Sequence, residues 1–180
     1  MKYTPALFLD RDGVINFDSG YVYRQQDFLF INGIFDLVRR ANAAGHRVVV
    51  VTNQAGIARG LYSEEDFQSL TSWMVGCFAR EGAEIDAVYH SPYHPTHGIG
   101  PYRQDTYCRK PAPGMILAAA ADLKLDLAAS TLVGDRLSDI EAGFAAGVSR
   151  LILFGPRVEK AQTFEVVDSL ESINFRFFGG

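Results

Sequence analysis

The chain has 180 residues, of which 48 % are hydrophobic, 12 % aromatic and 21 % charged, a composition that excludes a disordered or fibrous chain and suits one domain over residues 1–180. Seventeen Lys and Arg against 21 Asp and Glu leave a net charge of −4, so no nucleic acid or membrane surface is expected as partner and a small-molecule partner is favoured; a monomer is expected. Two cysteines, Cys77 and Cys108, make no disulfide framework, and the apolar run before Asp10 is too short for a signal sequence or a spanning helix, so a cytoplasmic location with free thiols is expected.

That first run, Ala6–Leu9, reads as a strand, because an apolar stretch without alternation is what a parallel sheet covered on both faces produces. Ile34, Phe35, Leu37, Val38, Ala41 and Ala44 follow the three-four spacing of a helical stripe ended by Gly45, and residues 48–51 supply the second strand. Ser63, with Asp66 three residues on, is a capping-box variant, and the stripe of Phe67, Leu70, Trp73, Met74, Cys77 and Phe78 behind it ends near Gly82. Further strands are expected at 87–89, 131–133 and 151–154, with helices at 115–125 and 140–146. Strand and helix alternate throughout, which predicts an open α/β fold with a doubly wound, mainly parallel sheet. Residues 91–113 break the rhythm: they are polar, contain Pro92, Pro95, Pro101 and Pro111, show no periodicity, and form a loop of a length that is usually functional.

In an open α/β sheet the ligand crevice lies at the carboxyl ends of the strands. The first strand ends in Asp10-Arg11-Asp12-Gly13-Val14, the second in Thr52-Asn53-Gln54 and the fourth in Gly134-Asp135-Arg136, while Arg109-Lys110 precedes a helix. Carboxylates brought to one mouth raise each other's pKa unless a cation holds them ionised, and hard oxygen ligands suit Mg²⁺. Lys110, Thr52 and backbone N–H groups after Asp10 are the cation and donors that the oxygens of a phosphoryl group need. Singly, each piece is explained by a turn, a cap or a solvated loop; their joint occurrence in this order points to a site.

These pieces, Asp10-x-Asp12-Gly13-Val14, Thr52-Asn53, Lys110 and Gly134-Asp135-x-x-x-Asp139, resemble the four-motif signature of the haloacid dehalogenase-like phosphatases. Residues 8–16, 20–22, 50–54, 56–60, 108–111 and 113–115 resemble one branch of them, the D-glycero-D-manno-heptose 1,7-bisphosphate phosphatases, with the histidinol-phosphate phosphatases close by. The resemblance implies a Rossmann-like fold, and the spacing leaves no room for a large inserted cap domain. It implies that Asp10 is a nucleophile forming an aspartyl phosphate, and that Asp12 is first acid and then base. Mg²⁺ would be held by the carboxylates of Asp10 and Asp135 and the backbone carbonyl of Asp12. Thr52 and Lys110 would hold phosphoryl oxygens, and Asn53, Gln54, Arg109, Arg136 and a flap of Asp18, Ser19, Gly20 and Tyr21 would bind the rest of the substrate. Asp139 reads either as support behind these ligands or as a helix cap, and Arg59 with Tyr21 either as contacts to a distal phosphate or as packing. The activity implied is removal of the C7 phosphate of the heptose bisphosphate, a step of nucleotide-activated heptose biosynthesis such as that serving lipopolysaccharide. Histidinol phosphate is the alternative substrate. A phospho-Asp receiver-like signalling module is the alternative class, and one is expected to carry its acceptor after the third strand.

The branch commonly holds a structural zinc in the long loop, on a Cys-Pro-His-His-Pro start and a Cys-x-Cys end. Here Ser91, Tyr93 and Thr106 stand at three of the four ligand positions and only Cys108 remains, so zinc is not expected; His90, His94, His97 and Cys108 are the alternative ligand set. The prolines, and Tyr93, Tyr102 and Tyr107 packed on the domain, are expected to order the loop instead.

Overall fold

The computed structural model describes residues 3–155 and 163–175. Its strands are β1 (Ala6–Leu9), β2 (Arg47–Asn53), β3 (Ala87–Ser91), β4 (Thr131–Gly134), β5 (Arg150–Phe154) and β6 (Glu165–Val167). They form one sheet in the order β3-β2-β1-β4-β5-β6, every pair parallel. The helices are α1 (Ile34–Ala43), α2 (Ala55–Ala58), α3 (Glu64–Arg80), α4 (Gly114–Leu123) and α5 (Leu137–Ala146).

Alternate strand residues point to opposite faces. On one face Leu7, Leu9, Val48, Val50, Val133 and Ile152 pack with Ile34, Leu37 and Val38 of α1 and with Leu70, Met74 and Phe78 of α3. On the other, Phe8, Val49, Val51, Leu132 and Leu151 pack with Met115, Ile116 and Ala119 of α4 and Ile140 and Ala142 of α5. Both faces of the sheet are therefore dry, which is why its strands read as continuous apolar runs.

Helix ends follow local chemistry. Ser63 Oγ accepts from Asp66 N at 3.1 Å and Asp66 Oδ2 from Ser63 N at 2.9 Å, the full capping box. Helix α4 stops at Leu123, before Leu125 of the expected span, because Lys124 turns left-handed at φ 55°. Helix α5 starts at Leu137, earlier than its apolar pattern, because Asp139 Oδ2 accepts from Arg136 N at 3.0 Å and closes its first turn. Strand β6 and the single turn of α2 had no sequence expectation, being too short to show a period.

The chain winds outward from β1 through β2 to β3 and returns to lay β4 on the other side of β1. Such a switch point opens a crevice beyond the carboxyl ends of the two central strands. Asp10 follows β1 directly and Asp135 follows β4 directly, and Asp10 N donates to Val133 O at 3.0 Å, so the strands stay paired up to the crevice. The long loop after β3 borders the same end: Ile99 N donates to Ala58 O of α2 at 2.8 Å and His94 N to Tyr102 O at 3.1 Å. The Tyr93 and Tyr102 rings lie 6.0 Å apart, but Tyr107 is 65 % exposed, contrary to the packing expected of it. What the loop uses there is the Tyr107 carbonyl, which accepts from Gly114 N at 2.9 Å, so close that a Cβ on Gly114 would sit 2.2 Å from it.

Candidate active site

Three carboxylates from the ends of β1 and β4 and the first turn of α5 converge, with one oxygen each of Asp10, Asp135 and Asp139 within 4.8 Å of the others. Lys110, 4 % exposed, places Nζ 2.9 Å from Asp10 Oδ1 and 2.6 Å from Asp139 Oδ1 and donates to Val51 O at 2.8 Å. Asp139 is thus the buried partner of Lys110 and the cap of α5 at once, which joins its two sequence readings. Burial is the largest influence on Asp10 and pushes its pKa up to about 7; Lys110 opposes the shift and Asp139 adds to it. Burial, then Asp139, pushes Asp135 up to about 6. For Lys110 burial disfavours the charge, yet Asp10 and Asp139 outweigh it and raise the pKa.

A cation fits this donor set. Asp135 Oδ1 is buried without a hydrogen-bond partner, and the contacts of Asp10 to Arg11 N and Lys110 Nζ both fall on Oδ1. Asp139 is taken up by Lys110 and Arg136 N, so Asp10 and Asp135 are the carboxylates that could hold a cation such as Mg²⁺. Both folded pKa values lie above the ordinary 3.8, so in metal-free protein the contribution of these groups to stability is present at low pH and is lost as the pH rises through about 6 to 7. Mg²⁺ competes with those protons, so its elevation of Tm should be large at pH 8 and nearly absent at pH 5.5; an equal elevation at both would remove these carboxylates as ligands.

Asp12 is held from the protein side. Arg11, 1 % exposed, grips its carboxylate through Nε and Nη2 at 2.8 to 3.2 Å and donates Nη2 to Val22 O at 2.7 Å. Asn16 Nδ2 adds a bond at 3.0 Å and Gln54 Nε2 one at 3.1 Å, and Gln54 is itself fixed by Thr52 Oγ1 and the Tyr62 hydroxyl. The sequence alone assigned Arg11 and Tyr62 no role, because the burial that sets Arg11 against Asp12 appears only in the folded chain.

A cavity of about 500 Å³ opens in front of these groups, lined by Asp10, Asp12, Asp18, Gly20, Tyr21, Asn53, Gln54, Arg59, Tyr62, His94, Arg109, Lys110, Arg136 and Asp139, among others. Ser19, Thr52 and Asp135 are outside its lining: Ser19 faces solvent, the buried Thr52 hydroxyl accepts from Gln54 Nε2 at 2.8 Å, and Asp135 lies behind it beside Asp10 and Asp139. Asn53 lines it but uses its carboxamide on the Lys110 peptide, donating to Lys110 O at 3.0 Å and accepting from Lys110 N at 3.1 Å. Arg136 crosses to the flap and pairs with Asp18 at 2.7 Å. Gly20 and Tyr21 turn the flap with positive φ of 89° and 53°.

The loop's candidate zinc donors Cys108 and His90 have partners within the protein. Cys108 Sγ lies 3.2 Å from Thr106 Oγ1 and 3.5 Å from Ser91 Oγ, the hydroxyls at ligand positions, while His90 Nε2 bonds Glu64 at 2.8 Å. Among the described residues no convergent group of three contains these histidines and Cys108. Metal analysis of protein purified without zinc exposure should find no stoichiometric zinc. One zinc per chain, with a loss of Tm on chelation that zinc alone restores, would contradict this.

The fold and the arrangement of Asp10, Asp12, Lys110 and Asp135 define a haloacid dehalogenase-like hydrolase, and residues 107–171 match the family model described as HAD-hydrolase-like. A Burkholderia mallei protein named D-glycero-alpha-D-manno-heptose-1,7-bisphosphate 7-phosphatase is 59 % identical over 152 residues, 84 % of this chain and 80 % of its own. A Vibrio cholerae D-glycero-beta-D-manno-heptose-1,7-bisphosphate 7-phosphatase is 48 % identical over 174 residues, 94 % of each chain. The crystal structure of D,D-heptose 1,7-bisphosphate phosphatase from B. bronchiseptica, complexed with magnesium and phosphate, superposes with a TM-score of 0.80 at 29 % identity, over 93 % of this chain and 94 % of that one. The chain belongs to the haloacid dehalogenase-like phosphatases, in the heptose-1,7-bisphosphate 7-phosphatase branch. No described helix is long and apolar enough to cross a membrane.

Proposed function

We propose that this phosphoric monoester hydrolase removes the C7 phosphate of D-glycero-D-manno-heptose 1,7-bisphosphate, with Mg²⁺ and through an aspartyl phosphate on Asp10. The observation that supports it most is the nearly buried Asp10 carboxylate at the mouth of the crevice, with Lys110 Nζ at 2.9 Å and Asp135 alongside. An Asp10 oxygen attacks phosphorus while the bond to the C7 oxygen breaks, and Asp12 gives that oxygen its proton. Asp12 then takes a proton from water, whose oxygen attacks the same phosphorus, the bond to Asp10 breaks, and inorganic phosphate leaves. Arg11, Asn16 and Gln54 hold Asp12 on the cavity wall between the two steps. Lys110 keeps a positive charge against Asp10 and the phosphoryl oxygens throughout, and bound Mg²⁺ would supply further charge neutralisation there.

Phosphate release from both anomers of the heptose bisphosphate, since relatives are named for each, alongside histidinol phosphate and fructose 1,6-bisphosphate, tests the reading. At least one heptose anomer should exceed the other two compounds in kcat/KM by about 100-fold or more. Histidinol phosphate at the head of the panel would overturn the assignment.

A further inference from the structure

The donors around Asp12 are unevenly divided between its two oxygens. Oδ1 accepts from Arg11 Nε at 3.2 Å, Arg11 Nη2 at 2.9 Å and Asn16 Nδ2 at 3.0 Å, which occupies its lone pairs. Oδ2 shares Arg11 Nη2 with Oδ1 and the Val22 carbonyl, and among the described residues its one other donor is Gln54 Nε2 at 3.1 Å. Oδ2 is therefore the oxygen with a lone pair to spare for a proton, and the Gln54 carboxamide sets the direction in which it is offered.

That carboxamide has one workable orientation. An ionised Asp12 accepts and cannot donate, so the Gln54 atom facing it is nitrogen, and the second N–H of that nitrogen goes to Thr52 Oγ1 at 2.8 Å. Gln54 Oε1 then points the other way, where the Tyr62 hydroxyl donates to it. Gln54 is 1 % exposed, so without that hydroxyl Oε1 would be a buried acceptor without its partner, a cost that turns the side chain out of place.

Tyr62 is itself fixed. Its ring stacks on that of Tyr23, just past the flap, with centroids 5.1 Å apart and planes 9° from parallel. It also lies against the Gly56 backbone, where a Cβ would fall 2.1 Å from a ring carbon. Gly60 turns the chain with φ 69° and Leu61 N donates to Gly56 O at 2.9 Å, which brings Tyr62 back over α2. Burial holds the phenol above its ordinary range, so it remains a hydroxyl and a donor.

We infer that Tyr62 is a positioning residue for proton transfer: through the Gln54 carboxamide it aims Asp12 Oδ2 at the oxygen that leaves phosphorus. This rests on the phosphatase reading above and turns Gln54, expected from the sequence to bind substrate, toward Asp12 instead. In the first displacement the proton on Oδ2 passes to the C7 oxygen as the bond from that oxygen to phosphorus breaks. In the second, Oδ2 takes a proton from the attacking water as the bond from phosphorus to Asp10 breaks. Tyr62 keeps its own proton throughout.

The test is the steady-state kinetics of wild type, Tyr62→Phe and Gln54→Met on D-glycero-D-manno-heptose 1,7-bisphosphate and on p-nitrophenyl phosphate, with Tm recorded for each protein. A sugar alkoxide needs a proton to leave and nitrophenolate does not, and kcat/KM covers the steps up to the first displacement for both. Tyr62→Phe should lower kcat/KM for the bisphosphate by about 10-fold, with KM within about twofold, and that for p-nitrophenyl phosphate by less than about threefold. Gln54→Met, which keeps the length of the side chain but none of its hydrogen bonds, should show the same split, and carries the comparison if Tyr62→Phe does not fold. Adding Tyr62→Phe to Gln54→Met should cost less than about a further twofold, because its action runs through the carboxamide. Equal losses on both substrates, an unaffected bisphosphate, a loss that lies in KM, or a full additional loss in the double variant would overturn the inference and leave the phosphatase reading standing. A wild type that hydrolyses p-nitrophenyl phosphate but not the heptose bisphosphate would overturn both.

Discussion

Asp10→Asn is expected to abolish phosphate release, by about 10⁴-fold or more, while leaving the fold intact. The amide is nearly isosteric with the carboxylate but cannot form an acyl phosphate, so the first displacement has no nucleophile. Stability should move the other way. Burial already pushes Asp10 up to about 7, so a neutral side chain there relieves a desolvation penalty, and Lys110 keeps Asp139 at 2.6 Å as counter-ion. Metal-free Asp10→Asn should melt at or above the wild-type temperature at pH 8. Residual turnover above a few per cent, or a collapse of Tm, would contradict the role assigned to Asp10.

Lys110→Met should lose both activity and stability. Its Nζ is the shared counter-charge of two carboxylates, Asp10 and Asp139, in a site where Lys110 and Asp139 are almost wholly buried. Removing one partner of a buried ion pair leaves an uncompensated charge, typically worth about 3–5 kcal/mol, and here Asp10 and Asp139 would also repel each other. Loss of a cation aimed at the transferring phosphoryl group should lower kcat by about 10²–10³-fold. Urea titration checks the first effect and steady-state kinetics the second. Adding Asp139→Asn to Lys110→Met should recover part of the stability and none of the rate, because it removes the stranded charge without restoring the phosphate contact. Recovery of rate in the double variant would mean that Lys110 acts only through Asp139.

Five strands and the placement of Asp10 and Asp135 at the crevice were legible because a parallel sheet dry on both faces writes continuous apolar runs, each followed by the polar residues that face the ligand. Asp10 following the first strand, at the centre of the sheet, also separates this chain from a receiver-type module. Strand β6 was illegible because Glu165–Val167 is three residues at an edge. The site's second layer was hidden for a different reason. Arg11 reads as a charged turn residue until β1 and the Val22 backbone enclose it, and Tyr62 meets Gln54 only once α2 has folded the chain back. The convergence of Arg59, His94 and Arg109 depends on a loop docking against a one-turn helix, a contact that no periodicity encodes. Asn53 illustrates the opposite error of scale: its motif position was legible, but its carboxamide secures the Lys110 peptide.

Hydrolysis by way of an aspartyl phosphate on Asp10 requires two displacements at phosphorus. Each in-line displacement inverts configuration, so the stereochemical course counts them. With a C7 phosphorothioate made chiral by sulfur and two oxygen isotopes and turned over in water of the third isotope, two displacements should give inorganic thiophosphate of retained configuration. Inverted configuration would mean direct attack by water and would contradict the aspartyl phosphate.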